Sequence, residues 1–410
     1  MAKYPIGFWN YTPTGMLGPE AVKDWADLGM TMAVSPEYNP AYHDKKALLA
    51  ILDACADYGI KVILSDSRAR WGGAAKDPEA YEKQFTEAYE DFGRHPAAMG
   101  FHVGDEPWSD EAFADCIAAH RIQLKVAPEL TPHLNFLPYW EGQEKDILKA
   151  ETFSGWAHSM VEKADLKILC YDCYTQMNPE EAGVHQYYTN LRKFSEAADA
   201  TGITPWTTLL SVGHFRYRCP NEDDLRWQLN TAVASGMKGI LWFFVYERAP
   251  MSNYRVPPID EFGERTETFT WMSRVNRHFL HQFGDFFLNA EHKATYHTVK
   301  QYGGYAPFVP GESSDVILDV ESVHGLPAVV GFFEKDGEKF VAVVNNNTKE
   351  SGQFRLHVPR NAKKLQRMNW SGGWDDIKTN HWDAFYTETE TECIGGDWLA
   401  PGQMKVYKYE

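Results

Sequence analysis

Over about the first 285 residues, short continuous apolar segments alternate with longer stretches whose apolar positions recur every three to four residues. The apolar segments fall at residues 5–9, 30–35, 61–66, 98–103, 133–137, 167–171, 206–211 and 238–245. Each is short and rich in β-forming residues, so each predicts a strand. The stretches between them predict helices. Residues 19–29 carry Ala21, Trp25 and Leu28 at helical spacing, and residues 45–58 stop at Gly59. Residues 110–127 and 223–235 follow the same pattern, the latter stopped by Gly236. Strand starts lie about 25 to 39 residues apart, the length that a strand, a helix and a return loop need. The strands are apolar throughout rather than alternating, as a sheet covered on both faces requires. Eight such units predict an α/β fold, a (β/α)8 TIM barrel, over residues 1–290. A doubly wound open sheet would want a glycine-rich phosphate loop after its first strand, and Phe8-Trp9-Asn10-Tyr11 stands there instead.

From about residue 295 the pattern changes to short alternating segments, at residues 315–320, 328–333, 340–345, 353–358 and 405–409. Polar turns such as Lys335-Asp336-Gly337 and Asn345-Asn346-Asn347 separate them. This predicts a C-terminal antiparallel β-sandwich over residues 295–410, joined to the barrel near residues 284–304.

Composition narrows the partners. Among 410 residues, 57 acidic against 40 basic side chains give a net charge of −17, and no Lys/Arg run forms a local basic patch. A phosphate backbone or an anionic membrane surface would be repelled, so neither is an expected partner. The longest apolar run, residues 240–246, is far short of the roughly 20 residues that span a bilayer. Residues 1–13 lack a signal-peptide core and the six cysteines are sparse, so a reducing cytoplasm is the expected location. Cys170 and Cys173 form a CxxC within a predicted strand, which points them to opposite faces. A structural role is expected for them, and no metal or cofactor is expected. Oligomeric state is not legible in the chain.

A barrel of this kind places its chemistry at the C-terminal ends of its strands. In order, those ends carry Trp9-Asn10; Glu37; Asp66, Arg68 and Trp71; His102 followed by Asp105-Glu106; Trp140; Tyr171-Asp172 and Tyr174; His214; and Glu247. Trp242 lies inside the last strand. Carboxylates and aromatics dominate this rim. Sugar rings present an apolar C–H face beside many hydroxyls, which aromatic platforms and carboxylates are suited to hold. Glycosidic cleavage needs a proton donor at the leaving oxygen and a second group for the oxocarbenium-like centre. A Glu beside another carboxylate has a raised pKa, which keeps it protonated as the acid, and Asp105-Glu106 supplies that adjacency. Each residue also has a plainer reading. Asp105-Glu106 could cap the next helix, although Asp110 already offers a cap. Asp172 could pair with an Arg, Glu247 could pair with Arg248 on the surface, Trp242 could be core, and His102 could be a hydrogen-bonded barrel residue. No HxH or HExxH occurs, so no catalytic metal is expected.

The segment Gly100-Phe-His-Val-Gly-Asp-Glu-Pro107 resembles strand 4 of barrel glycoside hydrolases. It is similar to the His-x-Gly-Gly-Asp-Glu motif of β-N-acetylhexosaminidases, with one glycine fewer, and to the Asp-Glu-Pro of a β-N-acetylgalactosaminidase group. Residues 225–244 and Tyr171-Asp172-x-Tyr174 resemble the later units of such enzymes. This resemblance implies Glu106 as general acid/base and Asp105 as the residue that orients a substrate 2-acetamido group. It also implies Tyr171 and Asp172 in the same subsite, with Trp242 as its wall. Clan-A retaining glycosidases resemble the chain in using a strand 4 Glu, but their nucleophile ends strand 7. Here that strand ends in Ser211-Val-Gly-His214, so Glu247 would have to act instead. The reading is a glycoside hydrolase releasing a terminal, β-linked sugar from a small oligosaccharide or glycoside. Glu106 is the acid/base and Asp105 or Asp172 the assisting carboxylate. Trp9, Asn10, Glu37, Asp66, Arg68, Trp71, His102, Trp140, Tyr171, Tyr174, His214, Trp242 and Glu247 are the expected substrate contacts. The alternatives are a non-catalytic carbohydrate-binding barrel and a clan-A-like β-glycosidase, such as a β-galactosidase, using Glu247. An aldolase or isomerase barrel would want a lysine or a metal cluster at a strand end, and no strand ends on lysine.

Overall fold

The computed structural model describes residues 3–247, 253–362, 364–379 and 381–410. Eight parallel strands form the first sheet: β1 (Ile6–Phe8), β2 (Met32–Val34), β3 (Lys61–Leu64), β4 (Ala98–Asp105), β5 (His133–Phe136), β6 (Ile168–Asp172), β7 (Thr204–Leu210) and β8 (Gly239–Phe243). Their order, β1-β8-β7-β6-β5-β4-β3-β2, is that of a barrel opened at one seam. At the seam Thr31 stands in for a ladder. Its N–H donates to the Ile6 carbonyl and its hydroxyl accepts from the Ile6 N–H, each at 2.9 Å. The strands are almost wholly buried, because helices cover the outside and side chains fill the inside.

The helices begin and end where their capping residues dictate. Asp44 accepts from the Lys46 N–H at 2.9 Å to start the helix Lys45–Tyr58, and Gly59 closes it at φ 68°. Asn221 and Asp224 form a reciprocal capping box at the start of Glu222–Ala234. Ser109, not Asp110, caps Asp110–Val126 by accepting from the Ala112 N–H.

Ten further strands make a sandwich of antiparallel sheets. They are β9 (Glu291–Thr298), β10 (Asp319–Ser322), β11 (Ala328–Lys335), β12 (Glu338–Asn345), β13 (Gly352–Pro359), β14 (Leu365–Met368), β15 (Trp374–Asp376), β16 (Ala384–Glu388), β17 (Glu392–Leu399) and β18 (Met404–Tyr409). One sheet runs β10-β13-β17-β16 and the other β15-β14-β18-β12-β11-β9, with a separate apolar core between them. The turn at Lys335-Asp336-Gly337 joins β11 to β12. Asp336 and Gly337 take φ of 54° and 78°, the left-handed pair that a tight hairpin needs.

Two sequence expectations change here. Residues 284–304 hold no free linker, because β9 lies within them and pairs along β11. The strand expected at 315–320 is confined to Asp319–Ser322, where pairing with β13 begins. The sandwich is fastened to the outside of the barrel. Asn346 accepts from Tyr188 at 2.6 Å and from the Trp227 indole at 2.7 Å, and Asn230 donates to the Gly402 carbonyl at 2.9 Å.

Candidate active site

The centre of the barrel mouth is built on β4, β5 and β6. Asp105 closes β4, and register pairs it with Asn135 of β5. Asn135 uses its amide nitrogen twice, donating to Asp105 Oδ1 at 3.0 Å and to Asp172 Oδ1 at 2.7 Å. Its carbonyl accepts the Glu106 N–H at 2.8 Å. Glu106 sits at φ 50°, a left-handed conformation that costs a non-glycine residue about 1–2 kcal/mol. The backbone therefore leaves the extended conformation directly after Asp105, and two sequence-adjacent carboxylates lie at the same mouth. Gly104 permits this on the other side, since a Cβ there would overlap the Trp71 ring. The Trp71 backbone N–H donates to the Val103 carbonyl, and Asp115 fixes the following turn by accepting from the Gly73 and Ala75 N–H groups.

Three carboxylates close together raise one another. Burial, then the charge of Asp105, pushes Glu106 above the ordinary carboxylate range, while a hydrogen bond with Asp172 opposes the rise. Asp172 is held well above its ordinary value by burial first and then by the charges of Glu106 and Asp105, against the pull of Asn135. Glu106 and Asp172 are within hydrogen-bonding reach and share a proton readily. Such a cluster can donate a proton near neutral pH, which an isolated surface carboxyl cannot.

Aromatic rings wall the mouth. Tyr174 stacks on Phe243 at 5.0 Å, and His214 meets Tyr174, Tyr217 and Phe243 edge-on or tilted at 5.0 to 5.8 Å. Tyr11 stacks over Trp9 and meets Phe243 edge-on. Trp9 lies deeper, its indole donating to Thr208 and its ring against His102. His102 is buried with its Nδ1 3.2 Å from His133 Nδ1, and burial holds its pKa far below normal, so the imidazole is neutral. Asn10 is buried too. Its carbonyl oxygen accepts the Thr12 N–H, and its amide nitrogen has no protein partner among the described residues, leaving a donor for a ligand.

Several expected residues stand elsewhere. Asp66 and Arg68 are spent on each other at 2.8 Å, with Arg68 also on Asp91 at 2.9 Å. Arg70, two positions on, supplies the mouth's cation. It lies 3.8 Å from Glu37 and its charge is felt by Asp105. Trp140 is half-buried beyond β5, where its carbonyl accepts the Gln143 N–H. Glu247 follows β8, its N–H on the Ile259 carbonyl, and Arg248 lies outside the described residues. Tyr171 and Trp242 do not fit the expected subsite. Tyr171 is buried on the outer face of β6, stacked on Phe194 at 3.9 Å. Trp242 is buried against the helix Glu267–Phe279, donating to Asn276 at 3.1 Å. One position along each strand reverses the face, so Asp172 and Phe243 look into the mouth instead.

The residues missed by sequence are Asn135, Arg70, Tyr217 and Phe243. A signal existed for the first. In His133-Leu-Asn-Phe136 the two polar residues alternate with two apolar ones, a period-2 pattern pointing both polar residues to the barrel interior. Among the described residues no group of three His, Cys, Asp or Glu is placed to hold a metal ion, and no helix is long and apolar enough to cross a membrane. Cys170 and Cys173 are free thiols, the first inside β6 and the second just beyond it.

No protein-family model matches the chain, and no curated protein matches its sequence. Solved structures do share its shape. A family 5 glycoside hydrolase from Bacteroides vulgatus matches over 99% of this chain and 88% of its own, at 10% identity and a TM-score of 0.59. A family 39 glycoside hydrolase from Bacteroides cellulosilyticus matches over 99% and 81%, at 12% identity and a TM-score of 0.54. A β-galactosidase from a psychrophilic Marinomonas matches 67% of this chain at 12% identity and a TM-score of 0.52, and the chain spans only 59% of that protein's length. At such identities the likeness establishes the architecture: the chain is a TIM barrel followed by a β-sandwich.

Proposed function

We propose that the protein is a glycoside hydrolase that releases a terminal, β-linked sugar from a small oligosaccharide or glycoside. The observation that carries this reading is the carboxylate cluster Asp105, Glu106 and Asp172 at the strand ends, with Glu106 raised above its ordinary pKa. Around it lie aromatic rings suited to the C–H face of a sugar. The solved structures of similar shape, named as glycoside hydrolases and a β-galactosidase, support the same class.

Glu106 donates its proton to the glycosidic oxygen as the C1–O bond breaks and the aglycone leaves as an alcohol. Glu106 and Asp172 are within hydrogen-bonding reach, nearer than the roughly 5–5.5 Å of a retaining carboxylate pair or the 6.5–9.5 Å of an inverting pair. Asp172 thus acts on Glu106 rather than across the sugar from it. The group on the far face is then the substrate's own 2-acetamido oxygen, which closes on C1 as Asp105 accepts a hydrogen bond from the amide N–H. Water opens the resulting oxazolinium ring while Glu106, now a carboxylate, takes its proton. The second reading places Glu247 on the far face as a nucleophile, favoured by the lack of a carboxylate in Ser211-Val-Gly-His214 after β7.

Aryl β-glycosides with and without a 2-acetamido group test this directly. Turnover confined to the acetamido sugars, lost in Glu106→Gln, is the expected result. Turnover of plain β-galactosides that disappears in Glu247→Gln would select the second reading. Binding without turnover of any glycoside would leave a carbohydrate-binding barrel.

A further inference from the structure

Asn135 touches every member of the carboxylate cluster, and nothing in the reaction outlined above uses it. Its two amide N–H groups go to two different carboxylates on the neighbouring strands, and its backbone carbonyl fixes the strained Glu106. The amide cannot turn over freely, because its oxygen accepts from Cys170 Sγ at 3.4 Å. Reversed, that oxygen would face two carboxylates. The donor pair is thus aimed by Cys170 from β6 as well as by the backbone of β5.

We propose that Asn135 is a positioning residue whose two donors oppose protonation of Asp105 and Asp172 and so draw the proton shared by Glu106 and Asp172 toward Glu106. The proposal rests on Glu106 being the acid. Two of the three carboxylates receive a fixed neutral donor, and among the contacts of Asn135 only Glu106 receives nothing at its carboxyl. An N–H donor favours the ionised form of its acceptor, so Asn135 pulls against the burial and neighbouring charges that raise Asp172, while the Glu106 carboxyl gets no such pull from it. Even with the Asn135 donor in place Asp172 is held well above its ordinary value, so without it the shared proton would sit more firmly on Asp172. Glu106 would then carry the proton less often when substrate arrives.

The other titratable groups around the network do not blur the test. Arg70 and Glu37 face it from beyond β3 and β2, and Tyr11 from beyond β1. Tyr174 and Cys173 follow on β6, with Tyr217 beyond β7. Burial raises the two phenols Tyr174 and Tyr217 and pushes the Cys173 thiol up to about 11, so these stay neutral in acid. His102 and His133 lie beneath, with His133 pushed down to about 3 by burial, so both imidazoles are uncharged there as well.

The experiment is the pH profile of kcat/KM for the wild type, Asn135→Ala, Cys170→Ala and Cys170→Ser, with Glu106→Gln beside them. Loss of two charge-directed hydrogen bonds should lower the plateau for Asn135→Ala about tenfold to a hundredfold. It should also move the acidic limb up by about one pH unit. Cys170→Ala should move the same limb in the same direction by less, and Cys170→Ser, which keeps a donor, should restore it. A uniform fall in rate with both limbs in place would overturn the proposal and leave Asn135 a packing residue. Carboxyl infrared bands followed through a pH titration of wild type and Asn135→Ala give the same answer without turnover. An unchanged carboxyl titration overturns the proposal, whereas a Glu106→Gln enzyme that keeps its activity overturns Glu106 as the acid instead.

Discussion

In the sandwich, Arg367 and Asp397 expose only 1% of their side chains each, and every charge is answered. Arg367 lies 3.6 Å from Asp397 and donates to the carbonyls of Thr379 and Ile377, while Tyr407 donates to Asp397 at 2.7 Å. In the barrel mouth, Asp105, Glu106 and Asp172 crowd together with one neutral amide between them, and Arg70 reaches only toward the Asp105 side. Both regions withdraw carboxylates from water. The sandwich supplies opposite charge and hydrogen bonds, so its ions stay ions and serve structure. The mouth surrounds acids with acids, so ionisation is costly and protons are held where a reaction can use them.

The comparison can be broken most sharply at Glu106. Glu106→Gln should lower kcat/KM by about 10²- to 10⁴-fold with KM little changed; a loss below tenfold would mean the crowded acids serve no proton transfer. The sandwich pair should give the converse result. Asp397→Ala leaves Arg367 buried and uncompensated, and denaturant unfolding should show a loss of about 3–5 kcal/mol without a change in KM. Replacing both members with apolar residues should recover most of that loss, and failure to do so would show the pair is more than a structural couple.

Trp242→Phe gives a smaller effect. Because its ring lies behind the sheet with its indole on Asn276, stability should fall by about 1–3 kcal/mol while KM stays within about twofold of wild type. A large KM rise would return Trp242 to the sugar subsite. The smallest effect concerns pH. Glu106 and Asp172 both have folded pKa values raised above the unfolded carboxylate value of about 4. Ionising them therefore costs stability, a cost absent below about pH 4 and complete once pH exceeds the raised values. Glu106→Gln should match wild type in Tm at pH 4 and exceed it by about 1 °C at pH 8. A variant less stable than wild type at pH 8 would show that the cluster is not strained.

The barrel was legible because its pattern is local. Eight apolar runs and the stops at Gly59 and Gly236 need only periodicity and capping chemistry. Asp105, Glu106 and Asp172 were legible because a strand end in this fold is a known place. Tyr171 and Trp242 were misplaced because a face cannot be assigned until the register is known, and a one-residue step inverts it. Arg68 was read for Arg70 because both follow β3 beside a single helical turn, where strand parity no longer assigns a face. Asn135 was overlooked because an amide in an apolar strand carries no motif, only a parity that gains meaning once β4 and β6 flank it. In the sandwich, β9 was missed because its partner β11 lies 30 or more positions away, whereas β14 with β15 and β16 with β17 form hairpins whose residues carry no clean apolar alternation.

The sequence by itself determined the eight-unit barrel, the change to antiparallel strands after it, and the adjacency of Asp105 with Glu106, all of which rest on interactions between near neighbours. Only the tertiary structure decided which side chains share the mouth. It put Glu106 in a left-handed conformation, carried Asp172 across from β6 to meet it, and set Asn135 between Asp105 and Asp172. Those contacts join residues 30 or more positions apart, and their pKa values follow from burial and mutual charge, neither of which exists until the strands close around them.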